Sequence, residues 1–142
     1  MPFEEDHMKS SFFSYDAVSN EPRQRLMVFY NHTNLIQIFD FNGVLLKEVS
    51  VGDYIQPQTM EKRKLFFAAP VAVKDNIFVL YLDETREYLK GNAPDLHPHL
   101  LVYDWSGNLL SQHQLNAPVY NFAIDAKTKK LVGGTFWEDG WR

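Results

Sequence analysis

The sequence predicts an all-β fold, a partial β-propeller of four-stranded antiparallel blades, and three observations carry that expectation. The composition is rich in aromatic residues, one strand–turn–strand phrase occurs twice, and short hairpins recur at the spacing of a propeller blade. Among 142 residues stand 11 Phe, 7 Tyr and 3 Trp, and aromatic side chains suit the pleated, half-buried surface of a strand.

The twice-used phrase runs Leu35-Ile36-Gln37-Ile38-Phe39-Asp40-Phe41-Asn42-Gly43-Val44-Leu45-Leu46 and again His99-Leu100-Leu101-Val102-Tyr103-Asp104-Trp105-Ser106-Gly107-Asn108-Leu109-Leu110. Each copy reads as a strand, then Asp–aromatic–Asn/Ser–Gly, then a second strand. An Asp side chain bonds backbone N–H groups just ahead of it. Glycine supplies the positive φ that closes a hairpin with a bulge. Gly43 and Gly107 are therefore read as turn glycines. A phosphate loop needs a glycine-rich junction between strand and helix, and the sequence contains none.

A second hairpin pattern occurs three times. Phe12 to Asp16 is followed, after a polar loop, by Leu26 to Tyr30; Pro70 to Asn76 leads into Ile77 to Tyr81; and Val119 to Asp125 turns through residues 126–130 into Leu131 to Gly134. Anchored on Phe13, Val71 and Phe122, the repeats are 58 and 51 residues long (13 to 71, 71 to 122). Four strands at that length make one blade. The strands are apolar on both faces, as in Leu35 and Phe39 against Ile36 and Ile38, which fits sheets covered on both sides. Residues 52–66 read as the link between blades, and 84–98 as a loop inserted into the middle repeat. Glu84 to Lys90 reads as a short helix at most, stopped by Gly91 and Pro94. One domain over 1–142 results, with blade-like repeats about 10–51, 66–116 and an incomplete 117–142.

The phrases His99 to Asn108 and Pro118 to Asp125 resemble the TolB-like six-bladed propellers of Bacteroides-type bacteria, and residues 10–50 resemble an adjoining blade of that group. The resemblance covers the chain from about residue 10 to its end. It implies an exported protein at the periplasm or cell surface, and it brings no catalytic residue to any position here. A six-bladed member has about twice this length and an export signal, so the expectation is a fragment of such a propeller, or half of one closed by dimerisation.

Several function classes are disfavoured by the bulk properties. The net charge is −4, whereas a nucleic-acid surface needs clustered Lys and Arg. The run Lys127-Thr128-Lys129-Lys130 reads as a solvated hairpin turn. With no cysteine, disulfides, thiolate metal sites and cysteine nucleophiles drop out together. The acidic N-terminus lacks the apolar core of a signal peptide, and no stretch approaches the roughly 20 apolar residues of a membrane helix. The expected chain is soluble, without a membrane span.

Candidate chemistry is sparse. His97 and His99 flank Pro98 and would lie on the same side of a strand, so they could share a metal if Asp95 joined them; a polar loop is the plainer reading, and no metal is assigned. His7, His32 and His113 read as surface residues. Ser10, Ser11 and Ser14 near Asp16 lack any nucleophile elbow. The acids Glu4-Glu5-Asp6 and Glu138-Asp139 read as solvated. Trp105 reads as blade packing, whereas Trp137 and Trp141 near the chain's end could meet another blade, a glycan or a peptide. No catalytic residue and no cofactor is expected. Function then reads as a non-enzymatic scaffold or a segment binding a protein or a small-molecule or glycan ligand. His97, His99, Trp137 and Trp141 are its candidate binding residues, and the loop from Glu84 to His99 is its candidate binding loop. The rival reading is part of a larger propeller enzyme, a glycan-processing hydrolase or lyase, with its active residues elsewhere. A stack of two or three blades also leaves an apolar sheet face at each end, which implies a homo-oligomer closing the propeller.

Overall fold

A computed structural model describes residues 13–59, 62–91, 97–116, 119–125, 127, 130–137 and 140–141. It is all-β and built of consecutive antiparallel meanders. β1 (Tyr15–Asn20), β2 (Arg25–Tyr30), β3 (Leu35–Asp40) and β4 (Leu45–Ser50) form the first sheet in that order. β5 (Lys64–Val73), β6 (Asn76–Thr85), β7 (His99–Asp104) and β8 (Leu109–Gln114) form the second. β9 (Val119–Asp125), β10 (Lys130–Trp137) and the short β11 (Gly140–Trp141) form a third. The sheets come together through their first strands, β1 beside β5 and β5 beside β9. That convergence is the arrangement of neighbouring propeller blades.

The two Asp–aromatic–x–Gly turns have one geometry. Asp40 Oδ1 accepts from the N–H groups of Asn42 and Val44, each at 2.9 Å. Asp104 Oδ1 accepts from those of Ser106 and Asn108, also at 2.9 Å. Gly43 and Gly107 both have φ +84°. Strand pairing slips by one residue at the matching place, between Ile38 and Phe39 and between Val102 and Tyr103. The predicted bulged hairpin is therefore present twice.

The second sheet is covered on both sides, and alternation along its strands explains how. Ile77 and Val79 of β6, with Leu101 and Tyr103 of β7, join Met27, Phe29, Ile36 and Ile38 of the first sheet in the larger core. The intervening Phe78, Leu80 and Leu100 turn the other way and meet Phe122 and Ile124 of β9. Trp105 belongs to the first of these cores and is 5% exposed, so blade packing is its use. Polar groups tie the same two sheets together. Asn31 Nδ2 donates to the carbonyl of Phe67 at 3.0 Å, the carbonyl of Asn31 accepts from Phe66 N–H at 2.7 Å, and Arg23 pairs with Asp75 at 2.8 Å.

Three details differ from the expectation. Asp16 does not sit in a turn; it lies within β1, opposite Phe29. The turn follows Asn20, whose Oδ1 accepts from Arg23 N–H at 2.9 Å. Anchored on the last residues before the three turns, the spacings run from 20 to 73 and from 73 to 125, 53 and 52 residues, and the unequal repeat disappears. Next, β5 does not begin at Pro70. It starts at Lys64 and passes the proline at a bulge, where pairing shifts between Ala68 and Val71 and Ala69 has φ +53°. Proline is tolerated in a strand where it lies at an edge or a bulge, and β5 satisfies both conditions. Lastly, the inserted loop is shorter than read: Glu84 and Thr85 complete β6, and helix α1 (Arg86–Gly91) follows. Thr85 Oγ1 accepts from Tyr88 N–H at 3.2 Å, an N-terminal cap, and Leu89 buries itself beside Leu82.

Candidate binding face

The first sheet has one face against the second sheet and one face on which no other sheet packs among the described residues, although Val28 there is only 5% exposed and Leu26 and Phe39 are half-buried. Met27, Phe29, Ile36 and Ile38 point to the covered side. Strand alternation then sends Leu26, Val28 and Tyr30 of β2, with Gln37 and Phe39 of β3, to the other. With Tyr15 and Phe41, all of these except Gln37 line an open groove of about 510 Å³. Tyr15 is 59% exposed and Phe41 49%.

Register shows what kind of face this is. Leu26 stands opposite Phe39 as Ile77 stands opposite Tyr103, and Val28 stands opposite Gln37 as Val79 stands opposite Leu101. Phe41 follows the turn aspartate Asp40 as Trp105 follows Asp104. In the second sheet these positions are the ones that the first sheet buries, Ile77 and Val79 completely. The groove of the first sheet is thus the repeat equivalent of a blade-docking face. Only Gln37 breaks the apolar match, since its counterpart is Leu101.

That one polar residue organises the electrostatics. Tyr30 Oη donates to Gln37 Oε1 at 2.5 Å, and Gln37 Nε2 donates to Glu48 Oε1 at 2.7 Å. Burial, and then the neighbouring Tyr15, Glu48 and Tyr54, raise the Tyr30 phenol above its ordinary range. The hydroxyl accordingly stays protonated and acts as a donor at neutral pH. The chain of three leaves one acidic group, Glu48, at the margin of an otherwise apolar face. Such a surface is equipped to bury hydrophobic side chains; its polar groups satisfy one another.

The residues singled out in the sequence lie elsewhere. His97 is exposed, and its Nδ1 lies 3.2 Å from the carbonyl of Leu115. His99 opens β7 between Tyr81 and Gln114. Among the described residues no three His, Cys, Asp or Glu side chains gather as a metal site would require, and Asp95 lies outside those residues. Trp137 and Trp141 occupy β10 and β11, where Trp137 pairs with Gly140 and Trp141 with Phe136. The histidines, at and just before the start of β7 in the second sheet, and the tryptophans, in the third, therefore belong to different parts of the fold. His32 is half-buried rather than superficial, with Nδ1 3.1 Å from the Lys64 carbonyl at the junction of the first two sheets. His113 is exposed. His7, Ser10, Ser11, the N-terminal acids and Glu138-Asp139 lie outside the described residues, as do Thr128 and Lys129 of the basic run, whose Lys127 and Lys130 are exposed.

The groove itself was missed residue by residue, although an uncovered end face was expected. The signal was available in the alternation of β2 and β3 once Phe39 is aligned with Tyr103. No known family profile matches the sequence, and no curated protein is similar to it. Among the described residues no helix is long and apolar enough to cross a membrane.

Proposed function

We propose that this chain is a non-enzymatic binding scaffold, a propeller segment that takes a protein partner on the uncovered face of its first sheet. A single observation carries the reading: Leu26, Val28, Phe39 and Phe41 occupy the positions whose counterparts in the second sheet are buried by another blade. An apolar face of this kind on a water-soluble molecule marks an interaction surface. Placement in a TolB-like six-bladed propeller, with export to the periplasm or cell surface and self-association closing the ring, belongs to the same proposal.

A photo-crosslinking amino acid at Phe41 tests it. Capture of a protein, whether a second copy or another partner, is expected there and not at Leu110, an exposed residue of β8 in the second sheet. Equal capture at both positions, or none at Phe41, overturns the reading.

A further inference from the structure

Resting on the binding-face reading above, we infer that the protein partner presents an arginine, held at the polar end of this face by Glu48 and the tyrosines around it.

The equivalent faces of the first two sheets differ at one pair of neighbours. Leu26, Val28 and Phe39 match Ile77, Val79 and Tyr103 in apolar character. One strand further out, the second sheet sets Leu101 opposite Gln112, whereas the first sets Gln37 opposite Glu48. Alternation along β1–β4 sends a single charged side chain, Glu48, to this face. Asp16 lies opposite Phe29 and Arg25 opposite Asp40, all turned to the covered side. Lys47 also turns that way and donates to the Ser106 carbonyl of the second sheet at 3.1 Å. A partner as apolar as the sheet that covers Ile77 and Val79 would therefore leave the Glu48 carboxylate without a cation. A partner that brings one pairs it.

The surroundings of Glu48 suit a guanidinium. With Leu35, Val49, Ser50 and Tyr54 it lines a second open hollow, of about 520 Å³. Its Oε1 accepts from Gln37 Nε2 at 2.7 Å, and its second oxygen bonds to none of the described residues. Tyr15 packs edge-on against Tyr30, with ring centroids 6.2 Å apart, and Tyr15 and Tyr54 are both about half exposed. Tyr15, Glu48 and Tyr54 each lie near enough to Tyr30 to raise its phenol. Three phenol oxygens and one carboxylate thus share a region to which these strands bring no cation. Arginine combines stacking on aromatic rings with directed N–H bonds to a carboxylate. Lysine, a strongly hydrated point charge, forgoes the stacking.

Position sets the size of the effect. Gln112, the counterpart of Glu48, remains exposed although its sheet is covered, so Glu48 belongs to the rim of the docked surface. A rim charge selects and orients a partner more than it tightens binding. The apolar residues supply the burial, while the acid rejects partners that would oppose it with another carboxylate.

Proton–nitrogen correlation NMR of the full chain tests the inference with two probes of one shape, phenethylguanidinium and the neutral phenethylurea. The guanidinium should shift the Gln37 side-chain amide and the Glu48 backbone amide, binding up to about fivefold more tightly than the urea. Added salt should shrink that preference, and Glu48→Gln should abolish it; the spectrum itself reports that the variant is folded. Equal binding of the two probes, or a preference that survives Glu48→Gln, overturns the arginine. The face is read separately with the crosslinker at Phe41, where Glu48→Lys should reduce capture of the partner and Glu48→Asp should retain it. Capture at Phe41 that ignores the charge at position 48 overturns the arginine and leaves the binding face in place. Absence of capture at Phe41 in the otherwise unaltered chain overturns both.

Discussion

Phe29 of the first sheet meets Phe67 of the second edge to face, with ring centroids 5.5 Å apart and planes at 68°. Both are fully buried, and Phe29 also lies 6.2 Å from the ring of Tyr103. The contact is a join between blades, because the two rings belong to β2 and β5 of different sheets. Phe29→Ala should destabilise the fold by about 3–5 kcal/mol, the usual cost of deleting a buried ring. Urea unfolding measures it. A loss below about 1 kcal/mol would mean that the sheets do not depend on each other's faces.

Asn34 locks the exit from the first sheet. Its Nδ2 donates to the carbonyls of Val51 and Asp53, each at 2.8 Å, and its Oδ1 accepts from Ile55 N–H at 2.8 Å. The side chain is wholly buried, so its bonds cannot be replaced by water without opening the loop. Asn34→Ala should cost roughly 2–4 kcal/mol. Amide exchange at Ile55 should also accelerate more than exchange at Ile36, which tells a local release of the loop from a general loss of stability.

Much of the fold was readable because certain residues permit few alternatives. Asp40 with Gly43, and Asp104 with Gly107, can close only one kind of bulged turn, and the apolar character of both faces of β6 and β7 required cover on both sides. The extent of β1 and β5 was less legible. Phe12 and Phe13 extended the apolar run backward and made Asp16 look like a turn residue, while Asn20 closes the hairpin instead. Pro70 looked like a strand start because a proline interrupts a ladder, and only a bulge with left-handed Ala69 carries β5 through it. The candidate site suffered from a different bias. His97 drew notice as a potential ligand, but its ring meets the backbone carbonyl of Leu115. The binding face consists of ordinary strand residues, which become distinctive only when their buried counterparts are known.

Asp104 makes stability depend on pH. Burial pushes its carboxyl up, but hydrogen bonds from the backbone and side chain of Asn108 and the backbone of Ser106, with Lys47 nearby, outweigh that effect and hold it below its ordinary value. The folded state therefore prefers the charged form more than the unfolded chain does. This contribution is fully present above the ordinary carboxyl value of about 3.9 and is lost as pH falls through the lower folded value. Urea midpoints of the wild type should drop on acidification from about pH 5 to about pH 2, and Asp104→Asn should remove part of that drop. Parallel curves for the two proteins would show that the turn charge is not linked to folding.

Gly43 and Gly107 separate backbone strain from packing between blades. Both have φ +84°, but a Cβ on Gly43 would meet nothing within 4 Å, whereas one on Gly107 would lie 2.9 Å from Ile38 Cδ1 of the first sheet. Gly43→Ala should therefore cost about 1 kcal/mol, the penalty for forcing a side chain into left-handed backbone. Gly107→Ala should cost more, because Ile38 is 2% exposed and has little space into which to retreat. Removing its terminal methyl with Ile38→Val should relieve the crowding, so that adding Gly107→Ala in that background costs no more than Gly43→Ala does alone. The coupling is read from thermal or urea unfolding of the four proteins in a double-mutant cycle. Strict additivity would show that the second turn does not press on the first sheet.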